Sequence, residues 1–297
     1  MTKRFLAIGE CMVEMAPRED GAFGMGFAGD VFNTAWYMRR CCDERVDVGF
    51  LSAIGDDDVS RRMEEFIRHA GVSPHLAVLP GRSVGLYLIS LRDGERSFSY
   101  WRSVSAARDL ADHLGEVTRL GPGDMAFFSG ITLAILPDAG RARLLDSLRQ
   151  ARAAGVRIAF DPNLRPRLWA DGATMCAAVM EGACVADIVL PSFEDEASWF
   201  DDADKAATAR RYREAGAGLV VVKDGALPVL LAQGDDFDEV AVTPAQSIVD
   251  TTAAGDSFNA RFLCGCMTGE SAPDAACAAA TLAAKVIGAR GALVETA

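Results

Sequence analysis

The stretch VDTTAAGDSFNARFL, residues 249–263, decides how the rest of the chain is read. After Asp256 the large residues Phe258, Phe262 and Cys266 recur at helical spacing, so Ala253, Ala254 and Gly255 form the turn that feeds a helix N-terminus. Small residues there let a ligand approach the backbone. Orphan N–H groups and the helix dipole favour an anion at such a turn. The same letters also fit a plainer use, in which Asp256 caps the helix and Gly255 turns the chain. Taken alone, the tetrad leaves both open.

Outward from this stretch, strand-like and helix-like segments alternate over most of the chain, the pattern of a parallel sheet covered by helices. RFLAIGECMVEM reads as a strand, NTAWYMRRCC as a helix, RVDVGFLSAIG as a strand and VSRRMEEFIRHAG as a helix stopped by Gly. DMAFFSG, VRIAFDPN, ADIVLPS and LVVVKDG are further strands, with PDAGRARLLDSLRQARAAG a helix between the first two. The strands end in Gly, Asp, Asn or Ser, and loops at the carboxyl ends of such strands build ligand sites. One segment breaks the alternation. SVGLYLISLRDGERSFSYWRS, residues 83–103, is two β-rich runs around Asp93-Gly94, a two-residue hairpin signal. That turn sets Tyr87 opposite Tyr100, Ile89 opposite Phe98 and Gly85 opposite Arg102, all on one face. Two phenols beside a guanidinium suit a lid over a polar ligand; a plain sheet face or a dimer contact accounts for them equally.

Composition narrows the function. At 297 residues and half apolar, the chain has no repeat or linker, so one large domain with a small inserted lid is expected. A net charge of −12 argues against nucleic acid or an anionic membrane as partner, and it makes single arginines informative should the substrate be an anion. An acid enters at Glu10 before any signal-peptide core forms, and no apolar run reaches membrane-spanning length, which predicts a cytoplasmic protein. The eight cysteines show no zinc-type spacing and read as buried reduced thiols. His69, His75 and His113 lie in polar surroundings with no partner motif. No GxxxxGK[ST] occurs, and GAFGMG at 21–26 lacks Rossmann spacing. The Ala253–Asp256 turn is therefore the remaining anion site. Around a transferring phosphoryl group its N–H donors would stabilise charge, and Asp256 could take a proton from an attacking hydroxyl.

DTTAAGD near the C-terminus, FAGDVFNTA near the N-terminus and VVVKDG between them resemble the ribokinase-like family of carbohydrate and nucleoside kinases. IGECMVEM, AGDVFNTA, GLYLI, YWRSVSAAR, SGITLAIL, DPNLRPRLW, LPSFEDE and DTTAAGDSFNA are together similar to its subgroup acting on 2-keto-3-deoxygluconate. The resemblance implies a three-layer α/β/α fold with a mainly parallel central sheet and a small β-sheet lid from about 10–32 and 83–104. It implies ATP and Mg²⁺, a sugar-acid substrate phosphorylated at its terminal hydroxyl, and a homodimer or higher homo-oligomer through the lid. By the same resemblance Asp256 is the catalytic base and Ala253, Ala254 and Gly255 the anion hole. Gly29, Asp30 and Asn33 hold sugar hydroxyls, Tyr87, Tyr100 and Arg102 close on the sugar acid, Ile131 packs on the substrate, and Arg165 faces the substrate or the phosphoryl group. Ser192, Lys223, Gly225, Ala280 and Ala284 lie along the nucleotide.

The chain departs from the family pattern at several points. It carries Ala28-Gly29 where Gly-Gly is usual, which requires negative φ at residue 28, and Ala253 where the broad family has Gly. Ser192-Phe193-Glu194-Asp195 stands for Asn-x-x-Glu, leaving open which of Glu194, Asp195 and Glu196 serves the metal's water shell. A related kinase for a neutral sugar such as fructose or ribose, or for a nucleoside, would not need the Arg102 clamp. A non-catalytic sugar-acid sensor would not need Asp256.

Overall fold

The computed structural model describes residues 2–18, 20–42, 44–92 and 95–295. The chain runs β1 (Lys3–Ile8), β2 (Met12–Pro17), β3 (Phe23–Ala28), α1 (Asp30–Cys41), β4 (Val46–Gly55), α2 (Asp58–His69), β5 (Ser73–Leu79), β6 (Gly85–Arg92) and β7 (Glu95–Trp101). It continues β8 (Met125–Ser129), α3 (Gly130–Ile135), α4 (Asp138–Ala153), β9 (Arg157–Asp161), α5 (Gly172–Cys184), β10 (Ile188–Val189), α6 (Phe193–Phe200) and α7 (Lys205–Glu214). The last elements are β11 (Leu219–Val222), β12 (Val229–Gln233), β13 (Asp236–Val240), α8 (Ala254–Thr268) and α9 (Ala272–Val286).

Nine strands form one sheet in the order β13-β12-β11-β10-β9-β8-β1-β4-β5, parallel from β11 to β5 and antiparallel at the β13 edge. Its central strands are apolar on both faces because helices cover both, whereas the edge strand β13 is largely exposed. On β1, Phe5 and Ala7 join the core with α1, α8 and α9, while Leu6 and Ile8 join the opposite core with α4, α5 and α7. This is why periodicity there is a continuous apolar run rather than an alternation. Each large side chain so enclosed stabilises by about 1.5–3 kcal/mol relative to exposure. Helix ends follow local chemistry: Asp57 accepts from Ser60 N over 2.8 Å to cap α2, and Asp171 accepts from Thr174 N over 2.7 Å to cap α5.

The run RFLAIGECMVEM is two strands, not one. At Gly9 the chain leaves the large sheet, and residues from Met12 enter a second, four-stranded sheet of order β3-β2-β6-β7. A Cβ on Gly9 would lie 2.8 Å from Val31, so the break sits tightly against α1. The second sheet carries the expected hairpin register, Tyr87 opposite Tyr100 and Ile89 opposite Phe98. The Asp93-Gly94 turn itself lies outside the described residues. Ala28 ends β3 in extended conformation and is not among the residues with positive φ.

The expectation of buried reduced thiols is corrected twice: Cys184 and Cys277 are exposed, and one pair is oxidised. Cys42, at the end of α1, and Cys264, on α8, are joined in a disulfide with Cα atoms 5.9 Å apart; Cys11, Cys41, Cys176, Cys184, Cys266 and Cys277 are free. Sequence spacing could not show this, because 222 residues separate the partners and only the packing of α1 on α8 brings them together. Among the described residues no helix is long and apolar enough to cross a membrane.

Candidate active site

The carboxyl ends of β1, β8, β9 and β11 and the first turns of α1 and α8 converge. Ala253 takes the N-cap position of α8 in left-handed conformation (φ 60°, ψ 14°), and Asp256 lies in the first turn rather than at the cap. Asp256 is therefore not spent on capping. Its Oδ2 accepts from Asn33 Nδ2 over 2.8 Å, which ties α8 to α1. The Ala254 N–H reaches Thr251 O at 3.3 Å, leaving the N–H groups of Gly255 and Asp256 as the orphan donors of the first turn.

Electrostatics set Asp256 apart. Its enclosure disfavours charge, Asp30 and Asp161 repel it, and the Asn33 bond and Lys223 oppose these effects only in part; the carboxyl is pushed from 3.8 to about 7. Asp30 is also raised, chiefly by burial, although Asn163 donates to it over 2.8 Å. Gly29 starts α1 with extended backbone and no left-handed strain; it is required because a Cβ there would sit 2.3 Å from Glu10 O. Asn33 Oδ1 in turn accepts from Gly29 N over 3.3 Å.

Beside Asp256 lies a second cluster. Lys223 Nζ donates to Asn259 Oδ1 over 3.0 Å and approaches Asp161 Oδ2 at 3.4 Å, while Asn259 Nδ2 donates to Asp161 Oδ2 over 2.6 Å. Lys223 Nζ is 3.8 Å from where a Gly255 Cβ would be, so its charge stands next to the orphan N–H groups. Arg165 is half-exposed at the rim, 3.7 Å from Asp195 Oδ2. Ser192 begins α6 and bridges to Lys223, and Gly225 turns the chain after β11 with φ 54°.

The three candidate acids separate. Glu196 is fully buried and bound by Arg211 at 2.8 Å and Tyr212 at 3.0 Å, so it belongs to the α6–α7 packing. Glu194 is exposed. Asp195 is partly buried, its carboxyl raised chiefly by burial and further by Asp161 and Glu194, against Arg165 and Lys223. Among the described residues no group of three or more His, Cys, Asp or Glu could hold a metal directly.

Other expected residues sit differently from the reading. Tyr87 is buried with its hydroxyl donating to Glu14, and Arg102 is paired with Glu10 through Nη2, so the phenol is spent while the guanidinium keeps Nε without a partner among the described residues. Tyr100 is 49% exposed beside Tyr87, ring centroids 6.0 Å apart. Ile131 packs half-buried in the first turn of α3. Ala280 is in the core between α8 and α9, whereas Ala284, one turn on, is partly accessible. Asp161, Asn163, Asn259 and Glu10 were not singled out from sequence. Two signals were there: Asp161 ends a strand and Asn163 follows it in DPN, and Asn259 lies three residues after Asp256 on one helical face.

A family model described as pfkB family carbohydrate kinase matches residues 2–296. The chain belongs to the pfkB family of carbohydrate kinases. This kinase is 38% identical over 304 aligned positions to 2-dehydro-3-deoxygluconokinase of Dickeya dadantii, covering 99% of this chain and 97% of the relative. It is 36% identical to the protein of that name from Escherichia coli K12, covering 99% and 98%. Among solved structures, a PfkB protein from Polaromonas sp. JS666 superposes with a TM-score of 0.86 at 26% identity, covering 97% of this chain and 96% of that one. The expected fold, central sheet with helices on both faces plus a small second sheet, is thus the family's fold.

Proposed function

We propose that this kinase transfers the γ-phosphoryl group of ATP to the terminal hydroxyl of 2-keto-3-deoxygluconate, giving 2-keto-3-deoxy-6-phosphogluconate and ADP. The observation that carries the chemistry is Asp256, a carboxyl pushed up to about 7 and set beside the orphan N–H groups of α8. A base so tuned is matched to neutral pH. The substrate assignment is supported by full-length relatives of that activity at 36–38% identity.

In this mechanism Gly29, Asp30 and Asn33 hold sugar hydroxyls so that the acceptor oxygen faces Asp256, which takes its proton as the oxygen attacks phosphorus. The Gly255 and Asp256 N–H groups and Lys223 stabilise the charge gathering on the phosphoryl oxygens. Ser192, Gly225 and Ala284 line the nucleotide side, with Ala280 supporting Ala284 from within the core. Arg165 faces the phosphoryl group from the rim, and Ile131 packs on the substrate. The second sheet, with Tyr87, Tyr100 and Arg102, covers the sugar acid and excludes water. With no group of three or more ligating side chains among the described residues, Mg²⁺ would arrive on the nucleotide, and Asp195 and Glu194 would be the carboxylates facing its water shell. When bound, that ion offsets phosphate charge. We place the kinase in the cytoplasm, with ATP, and as a homodimer through the second sheet, whose edge strands expose Phe23 and Met25 on β3 and Tyr100 and Trp101 on β7.

One observation favours a second reading. Because Arg102 is already neutralised by Glu10, a neutral sugar would lose less by coming to this cleft than a free guanidinium would suggest. The deciding test is ADP release with Mg-ATP over 2-keto-3-deoxygluconate, its galacto epimer, fructose, ribose and adenosine. Turnover confined to the keto-deoxy acids supports the proposal, turnover with a neutral sugar supports the second reading, and no turnover with any of them leaves a sensor. Sedimentation of the wild type against a Trp101→Lys variant tests the dimer.

A further inference from the structure

Arg102 is a long, flexible cation on the last turn out of β7, and its usefulness to an anionic ligand depends on where its guanidinium is held. Here it is held by Glu10. The two side chains are 10% and 1% exposed, and they meet through Arg102 Nη2 and Glu10 Oε2. We infer that Glu10 is a positioning residue for the kinase's selectivity, holding Arg102 at the floor of the cleft where a sugar-acid carboxylate binds. The inference rests on the sugar-acid reading above.

Three features of the surroundings support it. Glu10 sits where the chain leaves β1, and its carbonyl packs so closely on Gly29 that only glycine fits there. Its carboxylate is also within electrostatic reach of Asp30. Glu10 therefore touches the turn that holds the sugar on one side and Arg102 on the other. Gly85 leaves the passage between them: a Cβ there would stand 2.8 Å from Glu10 Oε1 and 3.2 Å from Arg102 Cβ.

The pair is also incomplete. It is one-pronged: Arg102 Nε is buried with no hydrogen-bond partner among the described residues, and Glu10 Oε1 has none within hydrogen-bond distance, although the Ser105 hydroxyl lies close enough to favour the charged form of Glu10. Two charged groups that could have made a fork-to-fork contact are held so that an acceptor and a donor stay unspent. A hydroxy acid carries the complementary set, hydroxyls for the carboxylate oxygen and a carboxylate for the guanidinium. A neutral sugar carries only the first. Without Glu10, Arg102 would lose its fixed rotamer, and carboxylate binding would have to order it.

The experiment compares wild type, Glu10→Gln, Arg102→Met and the double variant, with folding checked by circular dichroism and melting temperature. KM is measured for 2-keto-3-deoxygluconate and for MgATP in the same assays. Glu10→Gln should raise the sugar-acid KM by about tenfold or more, the loss of one charge-assisted contact, with the MgATP KM as the unmoved reference. The double variant should be no worse than Arg102→Met alone, since both changes break one interaction. A sugar-acid KM that is unchanged or falls in Glu10→Gln would overturn the inference, the fall because it would make Glu10 a competitor for Arg102. Both KM values rising together with a lower melting temperature would overturn it too, as a merely structural effect. Should Glu10→Gln not fold, equality of Arg102→Met and the double variant carries the comparison, and a clear difference between them overturns it. A wild type that turns over a neutral sugar and ignores the sugar acid refutes the substrate reading, and this inference with it.

Discussion

Asn33 Nδ2 donates to Asp256 Oδ2 over 2.8 Å, so the first turn of α1 holds the carboxyl that the first turn of α8 presents. The bond favours the charged form of a group that burial and two neighbouring acids push up to about 7. As a base, Asp256 works deprotonated, so kcat should rise with pH through the region near 7 and level off above it. Asn33→Leu removes the opposing bond, and the rising limb should move to higher pH. A kcat profile from pH 5 to 9 for both proteins checks this; a limb at the same pH in the variant would mean that Asn33 does not tune the base.

Asp256→Asn keeps the shape and removes the proton acceptor. ADP release at saturating sugar and ATP should fall by about 10²–10⁴-fold. Stability should move the other way. The folded carboxyl holds its proton up to about 7 while the unfolded one releases it near 3.8, so the native state binds more protons between those values and wild-type stability falls as pH rises through them. Denaturant midpoints of wild type and Asp256→Asn should therefore agree below about pH 4, diverge between there and pH 7, and stay apart by a constant amount above it, with the variant the more stable by a few kcal/mol. Equal midpoints at pH 8 would show that ionised Asp256 carries no such cost.

How far the sequence alone reached depends on whether a feature is local. The β6–β7 register and most parallel strands follow from spacing within one segment and are where it puts them, whereas α8 already begins at Ala254 and the run RFLAIGECMVEM divides between two sheets. What was not legible joins distant segments. Glu10 with Arg102, Tyr87 with Glu14, Cys42 with Cys264 and Lys223 with Asp161 and Asn259 are pairs made by packing, with no periodicity to announce them. Glu196 shows the same limit in reverse. Its neighbours in sequence suggest a metal ligand, yet helical geometry turns it inward to Arg211 and Tyr212.

Ala253 carries a side chain where the backbone is left-handed, φ 60° and ψ 14°. That conformation costs an L-residue about 1–2 kcal/mol, part of which Gly returns through its larger unfolded-state entropy. Ala253→Gly should therefore stabilise by about 0.5–1 kcal/mol, read as a shift in urea midpoint at constant slope. Ala253→Val should destabilise, since a β-branched residue tolerates the region least. A destabilised glycine variant would show that the methyl packing of Ala253 outweighs its strain.

Lys223 is the charge that allows Asp161 and Asn259 to stay buried next to the anion site. Lys223→Met leaves the Asp161 carboxylate with Asn259 as its remaining partner in this cluster, and breaking such a pair costs about 3 kcal/mol. Activity should fall as well, by about 10²-fold, because a donor aimed at the phosphoryl oxygens is gone. The two losses are separable. Adding Asp161→Asn removes the stranded charge and should recover most of the stability while leaving turnover low. Melting temperature and ADP release on the single and double variants read both effects. Recovery of turnover together with stability would mean that Lys223 only supports the fold, and the stabilising charge at the phosphoryl group would then fall to Arg165 and the α8 N–H groups.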